Sequence, residues 1–575
     1  MFVSILYLFT PEMVLVQESR RPFSIPATLL VAVAIAWCSA AASQDTGHRE
    51  ALRIAVERLR YSDDMPAVAT EIAAGPLVAE YYERRTFLPA WQDDGKIASL
   101  ISVIEDAFAD GLEPADYHLQ SIEEQYAQLS AGQTGSPAEW AAFELQLTDA
   151  LISLVHHQRF GKADPLGQHA TWNFRGRGEE APDTLQVVEE AMNAASLREF
   201  LDARILRGPY YRSLRRALAT YRRISAEGGW PAIGSGPSLD SGTSDERIAT
   251  LAVRLAITGD ADNAEPNAAT RIMDGKLQDA VRRFQWRHGL ESDGIVGPAT
   301  IQALNVPVEQ RIDQLRLTLE RARWVLNDLG ENFLVVNIAG FRAYVVADRK
   351  ISWETRVVVG KTGQQTPVFR DELQYIVFNP TWTVPYSIAT REMLPEIKAQ
   401  PDWFGKHDFE VRNRTGDLVD PESVDWSAVT RRNFDYIFVQ AAGPNNALGQ
   451  IKFIFPNDHA VYLHDTPARQ LFGSAERAFS HGCIRVEDPL KLAEILLGPN
   501  GWDHKRIEAA VSNKKTTTVF LTKPLPVLLL YWTANVDPDG VVHFYRDVYQ
   551  RDPPMIDALA APFRIQPPPR PDSGL

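Results

Sequence analysis

His464-Asp465-Thr466 and, sixteen positions after that histidine, Ser480-His481-Gly482-Cys483-Ile484-Arg485-Val486 form the stretch that decides how this chain is read. Residues 461–463, Val-Tyr-Leu, predict a strand that ends at His464, and Pro489–Leu497 predicts a helix opening just beyond Cys483. The excursion between them can bring strand end and helix entrance together. A thiol is a nucleophile only when ionised; its free pKa is about 8.5, and a neighbouring imidazolium lowers it. The expectation is therefore a Cys483 thiolate held beside the ring of His464. Gly482 lets the backbone approach a substrate carbonyl. The N–H groups of Gly482 and Cys483 are candidate oxyanion donors, a device that removes about 3–4 kcal/mol from an acyl-transfer barrier.

Outward from this stretch the pattern is that of strands. Residues 333–338, 343–346, 355–359, 375–378, 453–455 and 461–463 are β-branched and aromatic runs separated by polar turns. Between them, 387–450 is an insertion with a helix-like piece at 388–399, large enough to cap a site. Strand-like pieces return at 518–521 and 541–545, and the tail from Pro567 is Pro-rich, as in disordered segments. Upstream, 44–230 carries apolar residues at three-to-four spacing, as in 97–108 and 145–155, and predicts helices. His156 and His157 close one of them and are expected to face solvent, where the helix dipole favours them. A Gly-, Ser- and Pro-rich loop at 230–245 marks a boundary. A small unit follows at 246–306, with helical spacing at Arg247–Ile257 and 276–288, and a helix is expected to connect onward at 311–329. The fold class is multidomain α+β, with a helical front domain, a small three-helix unit and a mostly β domain bearing a cap.

Two resemblances sharpen this. Leu277, Ala280-Val281, Phe284-Gln285, His288-Gly289-Leu290, Asp293-Gly294, Val296-Gly297, Thr300 and Ala303-Leu304-Asn305 resemble the three-helix peptidoglycan-binding domain. Leu277, Val281, Phe284, Leu290, Val296 and Leu304 are expected in its core, and Gly294 and Gly297 at turns needing positive φ. The His…Ser-His-Gly-Cys-x-Arg pattern resembles the YkuD-type L,D-transpeptidases, in their large YcbB-like branch. Pro367–Pro380, Trp382-Thr-Val-Pro385, 443–449, 453–456, 462–467 and the Tyr531-Trp532-Thr533-Ala534 tail extend the likeness over nearly the whole mature chain. Gln440-Ala441-Ala442 departs from it by lacking a basic residue before Gly443, and Arg485 stands where many smaller members have Asn.

The resemblance implies a domain order: signal peptide 1–42, helical scaffold 43–245, peptidoglycan-binding domain 246–306, connecting helix 307–331, catalytic domain 332–525 and C-terminal extension 526–575. It implies peptidoglycan stem peptides and glycan as partners, carbapenem-type β-lactams as covalent inhibitors, and neither cofactor nor metal. Other wall-synthesis proteins are compatible partners. By the same likeness Cys483 is the nucleophile and His464 its base, oriented by the backbone carbonyl of Asp465, whose carboxylate would cap a turn. His481 either sits beside the oxyanion site or orders the loop, and Ser480 is a structural hydrogen-bonder. Arg485 either binds a substrate carboxylate or makes a salt bridge. Trp382 and Tyr386 either line the donor groove or pack. The implied reaction forms 3→3 cross-links; an L,D-carboxypeptidase using water and a catalytically dead wall-binding scaffold are the alternatives. A wall endopeptidase with Cys before His would instead draw on His504 or His543.

The chain has 575 residues with 59 Lys and Arg against 74 Asp and Glu, a net charge of −15, which argues against a nucleic-acid binder. It has two cysteines, Cys38 and Cys483. Arg20-Arg21, the apolar run 27–37 and the small residues 39–43 read as an export signal cut near Ala42, so the mature chain keeps one thiol. The h-region is shorter than the roughly 20 residues a spanning helix needs, although an uncleaved anchor stays open. Ser19–Phe23 partly matches a twin-arginine signal. The implied location is the periplasm of a Gram-negative bacterium.

Overall fold

The computed structural model describes residues 46–60, 72–131, 135–168, 170–174, 184–204, 208–261, 271–326, 329–400 and 402–563. The expected export signal, with Cys38, and the tail from Pro567 lie outside them. No helix among the described residues is long and apolar enough to cross a membrane.

Eight strands close into a barrel. They are β1 (Phe333–Asn337), β2 (Arg342–Ala347), β3 (Lys350–Gly360), β4 (Phe369–Phe378), β5 (Ile451–Ile454), β6 (Leu463–His464), β7 (Ile484–Val486) and β8 (Thr517–Leu530). Around the ring the order is β1-β2-β3-β7-β6-β5-β4-β8 and back to β1, with Ala478–Ser480 added alongside β3. Two neighbouring pairs, β6–β7 and β8–β1, run parallel. Alternate residues fill the interior: Leu334, Val336, Val357, Val359, Phe453, Leu463, Ile484, Val486 and Leu528 belong to one core. The boundary expected at 525 falls inside β8. Val527–Leu530 are buried against β1 and β4, so the segment beyond 525 begins as barrel wall.

The helix expected to connect at 311–329 runs Val308–Val325, and it is no exposed link. Glu320, Arg321 and Arg323 are buried on it, with partners from the helix itself and from distant segments. Arg321 pairs with Asp552 at 2.8 Å, Arg323 pairs with Glu320 at 2.5 Å, and Arg323 also donates to the Asp110 carbonyl and the Tyr211 hydroxyl at 2.8 Å. This helix is the pillar on which the front helices, the barrel and the C-terminal helix Asp552–Ala560 converge.

The front domain is helical, built around Pro137–Phe160, whose Ser136 and Glu139 form a capping box. His157 ends that helix buried, not in solvent. Its Nδ1 lies 2.8 Å from the Tyr117 hydroxyl, and its ring meets Phe563 edge-on. The unit of Arg247–Ile257, Gly275–Arg287 and Pro298–Leu304 buries Leu277, Val281, Phe284, Val296 and Leu304 as expected, whereas Leu290 is half-buried. Gly294 has φ 80°, but Gly297 has φ −89° and instead caps the helix that starts at Pro298.

The insertion is a small subdomain with its own core. A four-stranded antiparallel sheet orders Trp382–Thr383, Tyr436–Gln440, Phe409–Asn413 and Leu418–Val419. It packs Val411 and Phe438 against Val384, Met393, Leu394, Ile397 and Trp403. The helical piece from Tyr386 to Ala399 carries a π-turn at Ala389–Met393. Pro395, which has no N–H for the preceding turn, follows directly; such widened turns recur at functional sites.

Candidate active site

Strand register builds the site. Parallel pairing sets His464 beside Arg485, and antiparallel pairing sets His464 beside Lys452. One row across the outer barrel face therefore reads Lys452, His464, Arg485. The same registers place Tyr462 beside Cys483 in the next row, where the Ile484 N–H donates to the Tyr462 carbonyl at 3.0 Å. The residues between, Phe453, Leu463 and Ile484, point into the core and fix which side chains face out.

His464 is buried, and its Nδ1 lies 2.5 Å from the Asp465 carbonyl. A carbonyl only accepts, so Nδ1 carries the proton and Nε2 keeps its lone pair. Burial, then Arg485 and Lys452, hold the imidazole down to a pKa of about 3, against the pull of the Asp465 and Leu448 carbonyls. The Asp465 carboxylate is engaged elsewhere. It accepts the Gln450 N–H at 2.9 Å and meets Arg469 at 3.2 Å, which leaves it unsuited to touch substrate.

Cys483 is half-buried, with Sγ 3.7 Å from the Ala460 carbonyl. Burial pushes its thiol above the ordinary range, against Tyr462, Lys452 and Arg485. The resting pair is therefore a neutral thiol and a neutral imidazole. The thiolate beside an imidazolium that the sequence suggests is not the resting state, because both groups are desolvated and two cations oppose protonation of the ring.

Ser480 staples the nucleophile loop. Its hydroxyl accepts the Gly482 N–H at 3.1 Å and donates to the Cys483 carbonyl at 2.5 Å. The Gly482 N–H is thereby spent and is no oxyanion donor, which leaves that of Cys483. Gly482 itself has φ 112°, a conformation that side chains rarely adopt. Its carbonyl accepts from Thr366 at 2.9 Å; Thr366 in turn accepts the Gly360 N–H at 2.9 Å, and the Tyr549 hydroxyl donates to the Gly360 carbonyl. The segment beyond β8 thus buttresses the nucleophile loop.

His481 lies 2.6 Å from Glu392 on the cap, and Lys361 stands 3.6 Å from the same carboxylate. Although burial opposes it, the bonds to His481 and Lys361 hold the Glu392 carboxyl below the usual carboxylate range. Of the two readings of His481, the contact fits loop and cap ordering. Trp382 is half-buried in the cap beside Phe409. Tyr386 is 50% exposed, although its hydroxyl donates to the Arg431 carbonyl and its ring meets Phe434. Both belong to the cap, where Trp382 is half-buried and Tyr386 exposed. Gln440 holds the following loop by donating to the Asn445 carbonyl at 3.0 Å and accepting the Ala447 N–H at 2.9 Å.

Four residues at the site escaped the sequence reading: Lys452, Tyr462, Lys361 and Glu392. Lys452 Nζ sits 3.8 Å over the Tyr462 ring. The available signal was a Lys inside the apolar run Ile451–Ile454 and a Tyr between Val461 and Leu463. Among the described residues no group of three or more His, Cys, Asp or Glu side chains is gathered to hold a metal ion.

Three family models match the chain. Residues 331–520 match the L,D-transpeptidase catalytic domain, 76–218 a scaffold domain and 244–304 a "Putative peptidoglycan binding domain". A Haemophilus influenzae protein named "Putative L,D-transpeptidase" is 37% identical over 258 residues, 44% of this chain and 52% of the relative. The chain thus spans about half the length of that curated relative. Residues 331–520 therefore form a YkuD L,D-transpeptidase domain, in a chain that also matches scaffold and peptidoglycan-binding domains.

Proposed function

We propose that the protein is a peptidoglycan L,D-transpeptidase that forms 3→3 cross-links through a thioester on Cys483. The observation that carries this reading is a half-buried thiol one strand row from a buried imidazole whose Nδ1 is held 2.5 Å from a backbone carbonyl. His464 takes the thiol proton as sulfur attacks the carbonyl of the third, diamino-acid residue of a stem peptide. The Cys483 N–H faces the developing oxyanion, while the Tyr462 hydroxyl contacts the Cys483 thiol. His464 returns the proton to the amine of the terminal D-alanine, which departs and leaves the thioester. A side-chain amine of a neighbouring stem then attacks, His464 accepts its proton, and the new amide forms as the thiol is restored. Amide-bond energy is conserved through the thioester, so the cycle needs no ATP.

His481, through Glu392, holds the cap over the loop and limits water, which favours the amine as acceptor. Arg485 binds a donor carboxylate. A cell-wall enzyme acts outside the cytoplasm, and the periplasm is the compartment this reading assigns. Incubation with disaccharide tetrapeptide and mass spectrometry tests it. Cross-linked dimer with released D-alanine is the expected outcome. Tripeptide alone makes the protein a carboxypeptidase, and no product makes it a wall-binding scaffold. A carbapenem is expected to acylate Cys483.

A further inference from the structure

Lys452 and Arg485 are half-buried cations on either side of His464, on β5 and β7. Neither makes an ion pair with any described residue, and the Arg485 Nε is buried without a hydrogen-bond partner. Elsewhere buried cations are either ion-paired, as Arg287 with Asp260 and Arg321 with Asp552, or donate to backbone carbonyls, as Arg254, Arg311 and Arg477 do. The carboxylates that follow β6 and β7 in sequence have other partners. Asp465 is held by Gln450 and Arg469, and Glu487 pairs with Arg356. Holding two cations out of water without a counter-ion is costly, which a site tolerates when a ligand completes it.

We propose that Lys452 and Arg485 form a two-armed cradle for a free carboxylate of the acyl donor, beside the amide that Cys483 attacks. The inference rests on the acyl-transfer reading above and adds Lys452 as a specificity-determining residue. It also has a consequence for the base. The groups facing the His464 ring are Lys452 from β5, Tyr462 two residues before it, Cys483 and Arg485 from the loop and β7, and the Asp465 and Leu448 carbonyls. With the cradle empty, two positive charges oppose a proton on the ring. A bound carboxylate neutralises them, so His464 becomes a competent base once an acidic donor is seated. A donor lacking that carboxylate would bind poorly and leave the base weak.

The test uses the full chain carrying Cys483→Ala, which cannot react, and calorimetry with tetrapeptide stems in which each carboxylate in turn is replaced by a primary amide. One amidation is expected to weaken binding about tenfold or more, the scale of a charge-assisted bond. Adding Lys452→Met should erase most of that acid-over-amide ratio, and Lys452→Arg should restore it. Replacing an unpaired half-buried cation by Met does not threaten the fold. The ratio, unlike absolute affinity, is insensitive to general damage. An unchanged ratio in Lys452→Met, or equal binding of all the stems, overturns the cradle. Turnover by the unmutated protein separates the two claims: equal turnover of acid and amide donors removes the cradle and leaves the transpeptidase, while acid-selective binding without any thioester does the reverse.

Discussion

The pillar helix Val308–Val325 and the outer barrel row of Lys452, His464 and Arg485 both hold charge away from water, and they do so in opposite ways. In the pillar Glu320 and Arg323 pair with each other, and groups from other parts of the chain, Ala163, Asp552 and Tyr211, close over Glu320, Arg321 and Arg323. In the barrel row the two cations are left without counter-ions. Paired buried charge specifies how domains dock, whereas a half-buried cation without a protein partner is a standing cost that a bound anion offsets.

That contrast can be broken by mutation. The largest expected effect is on chemistry: Cys483→Ala should remove thioester and product entirely, and His464→Ala should lower kcat by roughly 10²–10⁴-fold. If His464→Ala kept its activity while His504→Ala lost it, the site would be misassigned. The two charged regions should then diverge. Glu320→Ala leaves Arg323 short of its counter-ion and should cost about 3–5 kcal/mol in denaturant unfolding. Arg485→Met should leave stability unchanged or raised, while kcat/KM falls. Equal destabilisation by both substitutions would erase the distinction.

The site was legible in sequence as far as local chemistry reaches. His464, Gly482 and Cys483 stand out because a turn between a strand and a strand–helix unit needs few residues to be read. Lys452 did not, since its place beside His464 depends on antiparallel register between β5 and β6, a non-local property. The pillar was read as a helix, but its burial was not legible for a related reason. The groups that close over Arg321 and Arg323, namely Asp110, Tyr211 and Asp552, all lie more than a hundred residues away in sequence. The barrel wall beyond 525 was hidden in the same way, because Val527–Leu530 pair in parallel with β1.

Finer tests sharpen the picture. Thr366→Val removes the link between Gly360 and the Gly482 carbonyl and should cost about 1–3 kcal/mol, with slower acylation. Stability should also respond to acid. The folded ring of His464, with a pKa of about 3, binds its proton later than the unfolded ring at roughly 6.5. Stability is therefore full above about 6.5 and falls as pH drops toward 3. His464→Gln should flatten that part of a stability–pH curve. The smallest effect is expected at the cap: Glu392→Gln loosens a largely exposed contact and should change stability by less than about 1 kcal/mol. Its readout is a larger share of tripeptide relative to cross-linked dimer.

Acyl transfer through Cys483 leaves a covalent mark, so intact-protein mass spectrometry on quenched reactions with tetrapeptide donor is its sharpest test. An adduct of the donor's tripeptide acyl group, mapped to Cys483, is expected, and it should disappear when an amine acceptor is added. Product formation with no adduct on Cys483, or undiminished turnover by Cys483→Ala, would contradict it.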